Sequence, residues 1–88
     1  MKKFEHEYMI YTIANEDVYH KQCAALEMHI PSLRKLEELH DVDDSRIQRY
    51  ELNGKRIRVL NDLQLNAVHV ESEIPLEGYF QKKEAAAS

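Results

Sequence analysis

Residues 46–60 read Arg46-Ile47-Gln48-Arg49-Tyr50-Glu51-Leu52-Asn53-Gly54-Lys55-Arg56-Ile57-Arg58-Val59-Leu60, and two features of this stretch decide the fold. Asn53-Gly54 is the dipeptide favoured by two-residue hairpin loops, because both central residues of a type I′ turn need positive φ. The flanks then pair so that Leu52 opposes Lys55, Glu51 opposes Arg56, Tyr50 opposes Ile57, Arg49 opposes Arg58, Gln48 opposes Val59 and Ile47 opposes Leu60. That register places Tyr50, Leu52, Ile57 and Val59 on an inward face, and Arg49, Glu51, Arg56 and Arg58 on an outward one. A β-hairpin is expected over Arg46–Leu60.

C-terminal to the hairpin, Asn61-Asp62 marks a further turn. Asn66–Ile74 then alternates, with Val68, Val70 and Ile74 inward and Ala67, His69, Glu71 and Glu73 outward, until Pro75 ends the strand. On the N-terminal side, Phe4–Ile13 is rich in aromatic and β-branched residues and reads as another strand. Asn15-Glu16-Asp17 offers a capping oxygen and two acids for the positive end of a helix dipole, so a helix is expected to start there. At 100° per residue Val18, Gln22, Ala25, Leu26, His29, Leu33 and Leu36 share one side of it. Pro31 removes a helical hydrogen bond and crowds the preceding turn, so a kink or break is expected there, with the helix resuming to His40 or Asp41.

These elements give an α+β fold of two layers, β-α-β-β-β, with a kinked or broken helix packed on a mainly antiparallel sheet of four strands. One domain is expected over residues 1–80, followed by a frayed tail at 81–88. Eighty-eight residues sit near the size at which one core is barely sufficient, which makes a homodimer through an exposed sheet edge a further expectation. A hydrophobic share of 43% against 32% charged places the chain outside the disordered regime. Acids follow the N-terminal Met1-Lys2-Lys3 where a signal peptide needs an apolar run, so no membrane targeting is expected. Cys23 is the single cysteine and fits a reducing, cytoplasmic setting, as a small half-buried hydrophobe rather than a reactive thiol.

Charge is unevenly spread. Residues 46–58 carry Arg46, Arg49, Lys55, Arg56 and Arg58 against Glu51, a local +4 in a chain of net −4. Such separation marks a docking surface, because the local field steers a partner while the rest of the surface repels like charge. The five basic residues are therefore the candidate partner-binding set, and an acidic protein surface is the partner expected first. Residues 37–44 hold five acids directly before them, so mutual neutralisation within the fold is the competing reading.

Residues 36–51, Leu36-Glu37-Glu38-Leu39-His40-Asp41-Val42-Asp43-Asp44-Ser45-Arg46-Ile47-Gln48-Arg49-Tyr50-Glu51, resemble a helix-turn-helix of the lambda-repressor/Cro type. Val42 and Ile47 match a turn valine followed five residues later by a recognition-helix isoleucine, whereas Asp41 replaces the turn glycine and Leu52 is an extra residue before Asn53. The resemblance implies a DNA-binding regulator, with Asp44, Ser45, Gln48 and Arg49 reading bases and nucleic acid as the partner. The negative net charge opposes phosphate binding.

Catalytic patterns are lacking. His6, His20, His29, His40 and His69 show no pair at helical i, i+4 spacing and no second cysteine joins them, so no metal site is expected. Asp41, Asp43 and Ser45 open like a calcium loop, but Arg46 and Leu52 stand where glycine and glutamate are required. Gly54 and Gly78 are the only glycines, too few for a phosphate-binding loop or a nucleophile elbow. The reading from sequence is a small non-catalytic binding protein without cofactor, an adaptor, inhibitor or regulator of the size and charge found in mobile genetic elements.

Overall fold

The computed structural model describes residues 4–78. One helix lies on one face of a five-stranded antiparallel sheet, which makes the fold α+β. The elements are β1 (His6–Tyr11), α1 (Glu16–His29), β2 (Arg34–His40), β3 (Arg46–Leu52), β4 (Lys55–Asp62) and β5 (Ala67–Ser72), and the strand order is β1-β5-β4-β3-β2. From β2 to β5 the chain meanders. The connection through α1 carries it from one edge strand, β1, to the other, β2.

The β3–β4 hairpin has the register read from the sequence, from Leu52↔Lys55 to Ile47↔Leu60. Asn53 (φ 53°) and Gly54 (φ 83°) both lie in the left-handed region that a type I′ turn requires. β4 runs on to Asp62, so the next reversal comes slightly later than Asn61-Asp62. It is held by Asp62 Oδ1, which accepts from the Gln64 and Leu65 amides at 3.0 Å each.

Helix α1 starts where its cap predicts. Asn15 is extended and its side chain accepts from the Val18 amide at 3.0 Å. The far end differs from the expected helix that kinks or breaks at Pro31 and resumes to His40 or Asp41. The helix stops at His29, and Ile30, directly before Pro31, is extended (φ −109°, ψ 105°). Clash with the proline ring disfavours helical backbone at the preceding residue, so Pro31 ends the helix instead of bending it. Ser32 turns the chain with φ 67°, and residues 34–40 become β2, a fifth strand in place of a second helical half. The buried stripe is accordingly Tyr19, Cys23, Leu26 and Ile30; Val18 packs beside it, and Leu33 joins the core from the turn.

Residues 36–51 therefore form strand, turn and strand, and the two helices implied by the helix-turn-helix pattern are not formed there. Gln48 is buried and donates to the Leu36 carbonyl at 2.7 Å; Ser45 is buried and its hydroxyl accepts from the Leu63 amide.

The core lies between α1 and the inward side of the sheet: Tyr50 and Leu52 from β3, Ile57 and Val59 from β4, Val68 and Val70 from β5, with Leu76 closing one end. Each buried phenol finds a carboxylate, Tyr19 donating to Glu38 Oε2 at 2.7 Å and Tyr50 to Glu27 Oε2 at 2.6 Å. Desolvation, followed by those hydrogen bonds, pushes both hydroxyls well above the usual tyrosine range. Asn61, buried at the end of the sheet, accepts from the Asn15 amide at 2.9 Å and so ties the start of the helix to β4. Both edge strands carry a register shift, between Met9 and Tyr11 in β1 and between Lys35 and Glu38 in β2. Irregularity combined with the charges of β2 is how edges resist pairing with another sheet, so the edge offers the expected homodimer no support. Among the described residues no helix is long and apolar enough to cross a membrane. The expected tail at 81–88 lies outside the described residues.

Candidate functional site

Alternation along the strands leaves one face of the sheet without a helix, and direct register partners build rows across it. One row runs Met9, His69, Leu60, Ile47 and Leu39 through all five strands. The adjacent row runs Glu7, Glu71, Arg58 and Arg49. Arg56, opposite Glu51, and Arg34, opposite Glu51 from the other side, form a third. Acids thus gather at the β1/β5 end and guanidinium groups toward β4, β3 and β2.

At the basic end, Phe4 lies under two guanidinium groups, that of Arg58 at 4.5 Å and that of Arg56 at 5.1 Å from the ring centroid. Phe4, Leu36 and Leu39 floor a groove of about 200 Å³ whose polar lining is Arg49, Arg56 and Arg58. Every arginine of the candidate set is also ion-paired: Arg46 to Glu16 and Glu38, Arg49 to Glu37, Arg56 to Glu73, and Arg58 to Glu71 at 2.6 Å. The Glu73 carboxyl is held below its usual range by the Arg56 side chain, then by the Arg56 amide. Three of the five basic residues, Arg49, Arg56 and Arg58, are therefore brought together at the groove. Lys55 sits exposed beside the hairpin turn, and Arg46 points to the helix side, toward Glu16.

At the acidic end, His69 is buried, with 4% of its side chain exposed, and neither ring nitrogen has a hydrogen-bond partner among the described residues. Three carboxylates surround it beyond hydrogen-bond range. Glu7 Oε2 lies 3.6 Å and Glu71 Oε2 3.9 Å from Nδ1, and Asp62 Oδ2 lies 3.8 Å from Nε2. The donor atoms of Glu7, His69 and Glu71 all fall within 4.8 Å of one another, a spacing that suits a metal ion. A pocket of about 230 Å³, lined by Phe4, Glu7, Arg58 and Glu71, opens beside them.

No family model, curated protein or solved structure matches this chain.

Sequence reading missed Phe4, Glu7, Asp62, His69 and Glu71. The visible signal was His69-x-Glu71, two donors on one face of a strand, which helical i, i+4 spacing does not capture. Glu7 joins them only through the β1–β5 pairing Glu7↔Glu71, made between residues far apart in the chain.

Proposed function

We propose that this chain is a small non-catalytic binding protein, an adaptor, inhibitor or regulator, and that it receives an acidic protein segment bearing apolar side chains on the helix-free face. The observation that supports this is the groove floored by Phe4, Leu36 and Leu39 and rimmed by Arg49, Arg56 and Arg58. Its chemistry complements such a segment, with apolar floor for apolar side chains and guanidinium forks for carboxylates. The existing ion pairs do not close the rim. Arg56 remains 57% and Arg49 39% exposed, and pairs this open contribute only about 0–1 kcal/mol, so an incoming carboxylate can replace Glu73 or Glu37. Nucleophilic chemistry has little footing, since burial pushes the Cys23 thiol up to about 11 and leaves it protonated at neutral pH.

A titration of isotope-labelled protein with a short peptide alternating aspartate and leucine tests the reading. Amide shifts are expected at Leu36, Leu39, Arg49, Arg56 and Arg58, and the lysine-leucine counterpart should leave them still. Shifts confined to α1, or a response to duplex DNA and not to the peptide, would replace the reading.

A further inference from the structure

We propose that Glu7, His69 and Glu71 bind one divalent transition-metal ion on the helix-free face, with Asp62 and Arg58 as supporting groups. This site is independent of the peptide groove in its ligands and shares only the neighbours Phe4 and Arg58.

Four observations carry it. The first is His69, nine-tenths or more buried, with both nitrogens lacking a hydrogen-bond partner among the described residues. Such a group costs stability unless something occupies its lone pair and its N–H. The second is spacing. Nδ1 lies 3.6 Å from Glu7 Oε2 and 3.9 Å from Glu71 Oε2, and all three donor atoms fall within 4.8 Å of one another. Ligand atoms about 2.0–2.1 Å from a tetrahedral ion stand about 3.3 Å apart, so the carboxylates must draw in around the ion, a movement open to the exposed Glu7 side chain.

The third is how the flanking groups are already engaged. Glu71 Oε1 accepts from the Arg58 guanidinium at 2.6 Å, which fixes the carboxylate and leaves Oε2 toward the imidazole. Asp62 Oδ1 is taken by the amides of Gln64 and Leu65, which leaves Oδ2 facing Nε2 at 3.8 Å. A carboxylate behind a ligating histidine, receiving its second N–H, is the usual support of a metal-bound imidazole. The fourth is repulsion. Glu7 and Glu71 are direct cross-strand partners, a like-charge pair that Arg58 offsets on the Glu71 side and that a cation between the two carboxylates would offset further.

One imidazole and two carboxylates favour zinc and its first-row neighbours over magnesium and calcium, which prefer all-oxygen sites. Three protein ligands leave a coordination position for solvent on the pocket beside Phe4.

The test uses the full chain without a histidine tag, titrated calorimetrically with Zn2+ and followed with Co2+ by visible absorption. One Zn2+ per chain is expected, with a cobalt spectrum of low coordination number. At a hundredfold excess over Kd the melting temperature should rise by about 10 °C or more. Glu7→Gln, at an exposed position, should fold normally and weaken Zn2+ binding at least a hundredfold, and Glu71→Gln should do the same. Asp62→Asn should weaken it about 10–100-fold. His40→Asn, away from the site, should change nothing. Absence of stoichiometric binding, or binding unmoved by Glu7→Gln, would overturn the proposal and leave His69 as a buried side chain packed among carboxylates.

Discussion

Arg49 and Arg58 lie directly opposite each other across β3 and β4, and each guanidinium is drawn to a carboxylate on the far side, Glu37 for Arg49 and Glu71 for Arg58. A like-charge cross-strand pair is unfavourable alone, and the flanking strands offset it. The same arrangement fastens Glu71 beside His69 and leaves Arg49 as a rim of the groove, so one row of the sheet joins the basic and acidic ends of the helix-free face.

The hairpin turn yields the simplest stability prediction. A Cβ on Gly54 would meet no atom within 4 Å, so any penalty for substitution there comes from its φ of 83° alone. Gly54→Val should cost about 1–2 kcal/mol and lower the melting temperature by several degrees. Unchanged stability would mean that the turn is not type I′.

Tyr50 separates core packing from hydrogen bonding. Its ring is fully buried and its hydroxyl donates to Glu27 Oε2, which also faces Lys35 Nζ at 3.3 Å. Tyr50→Phe leaves Glu27 with that partner and should cost about 1 kcal/mol, whereas Tyr50→Ala should cost about 3–5 kcal/mol. Chemical denaturation of both variants reads the two terms.

Acid should loosen the fold through Glu73 and Asp43. Both carboxyls are held below their ordinary values, Glu73 first by the Arg56 side chain and Asp43 first by the Ser45 amide. A depressed folded-state pKa stabilises the fold above the unfolded value, and that contribution is lost as pH falls through the folded one. Stability should thus decline below about pH 4, near and under the free carboxylate range. Glu73→Gln should flatten that decline.

Much of the architecture was legible where the signal is local. Asn53-Gly54 determined a register that the β3–β4 pairs reproduce, and Asn15 marked the start of the helix. Residues 34–40 were not legible, because Leu33 and Leu36 also fit a helical period and the sequence Arg34-Lys35-Leu36-Glu37-Glu38 has strong helical propensity. Strand formation there is a tertiary effect, driven by pairing with β3 once Pro31 has ended the helix. The basic residues were visible as a charge run, but their carboxylate partners lie on other elements. His69 stood among five histidines without distinction until β1 and β4 brought Glu7 and Asp62 to it.

The most direct measurement of the central claim, that the helix-free face is the working surface, is the affinity of the aspartate-leucine peptide for Arg49→Ala/Arg56→Ala beside a thermal melt of the same variant. These are the more exposed arginines of the groove, and Arg58 is spared because it fastens Glu71. Roughly tenfold weaker binding is expected, with a melting temperature within a few degrees of the parent. Unchanged affinity with a lowered melting temperature would contradict it, and would make the arginines internal neutralisers of their own acids.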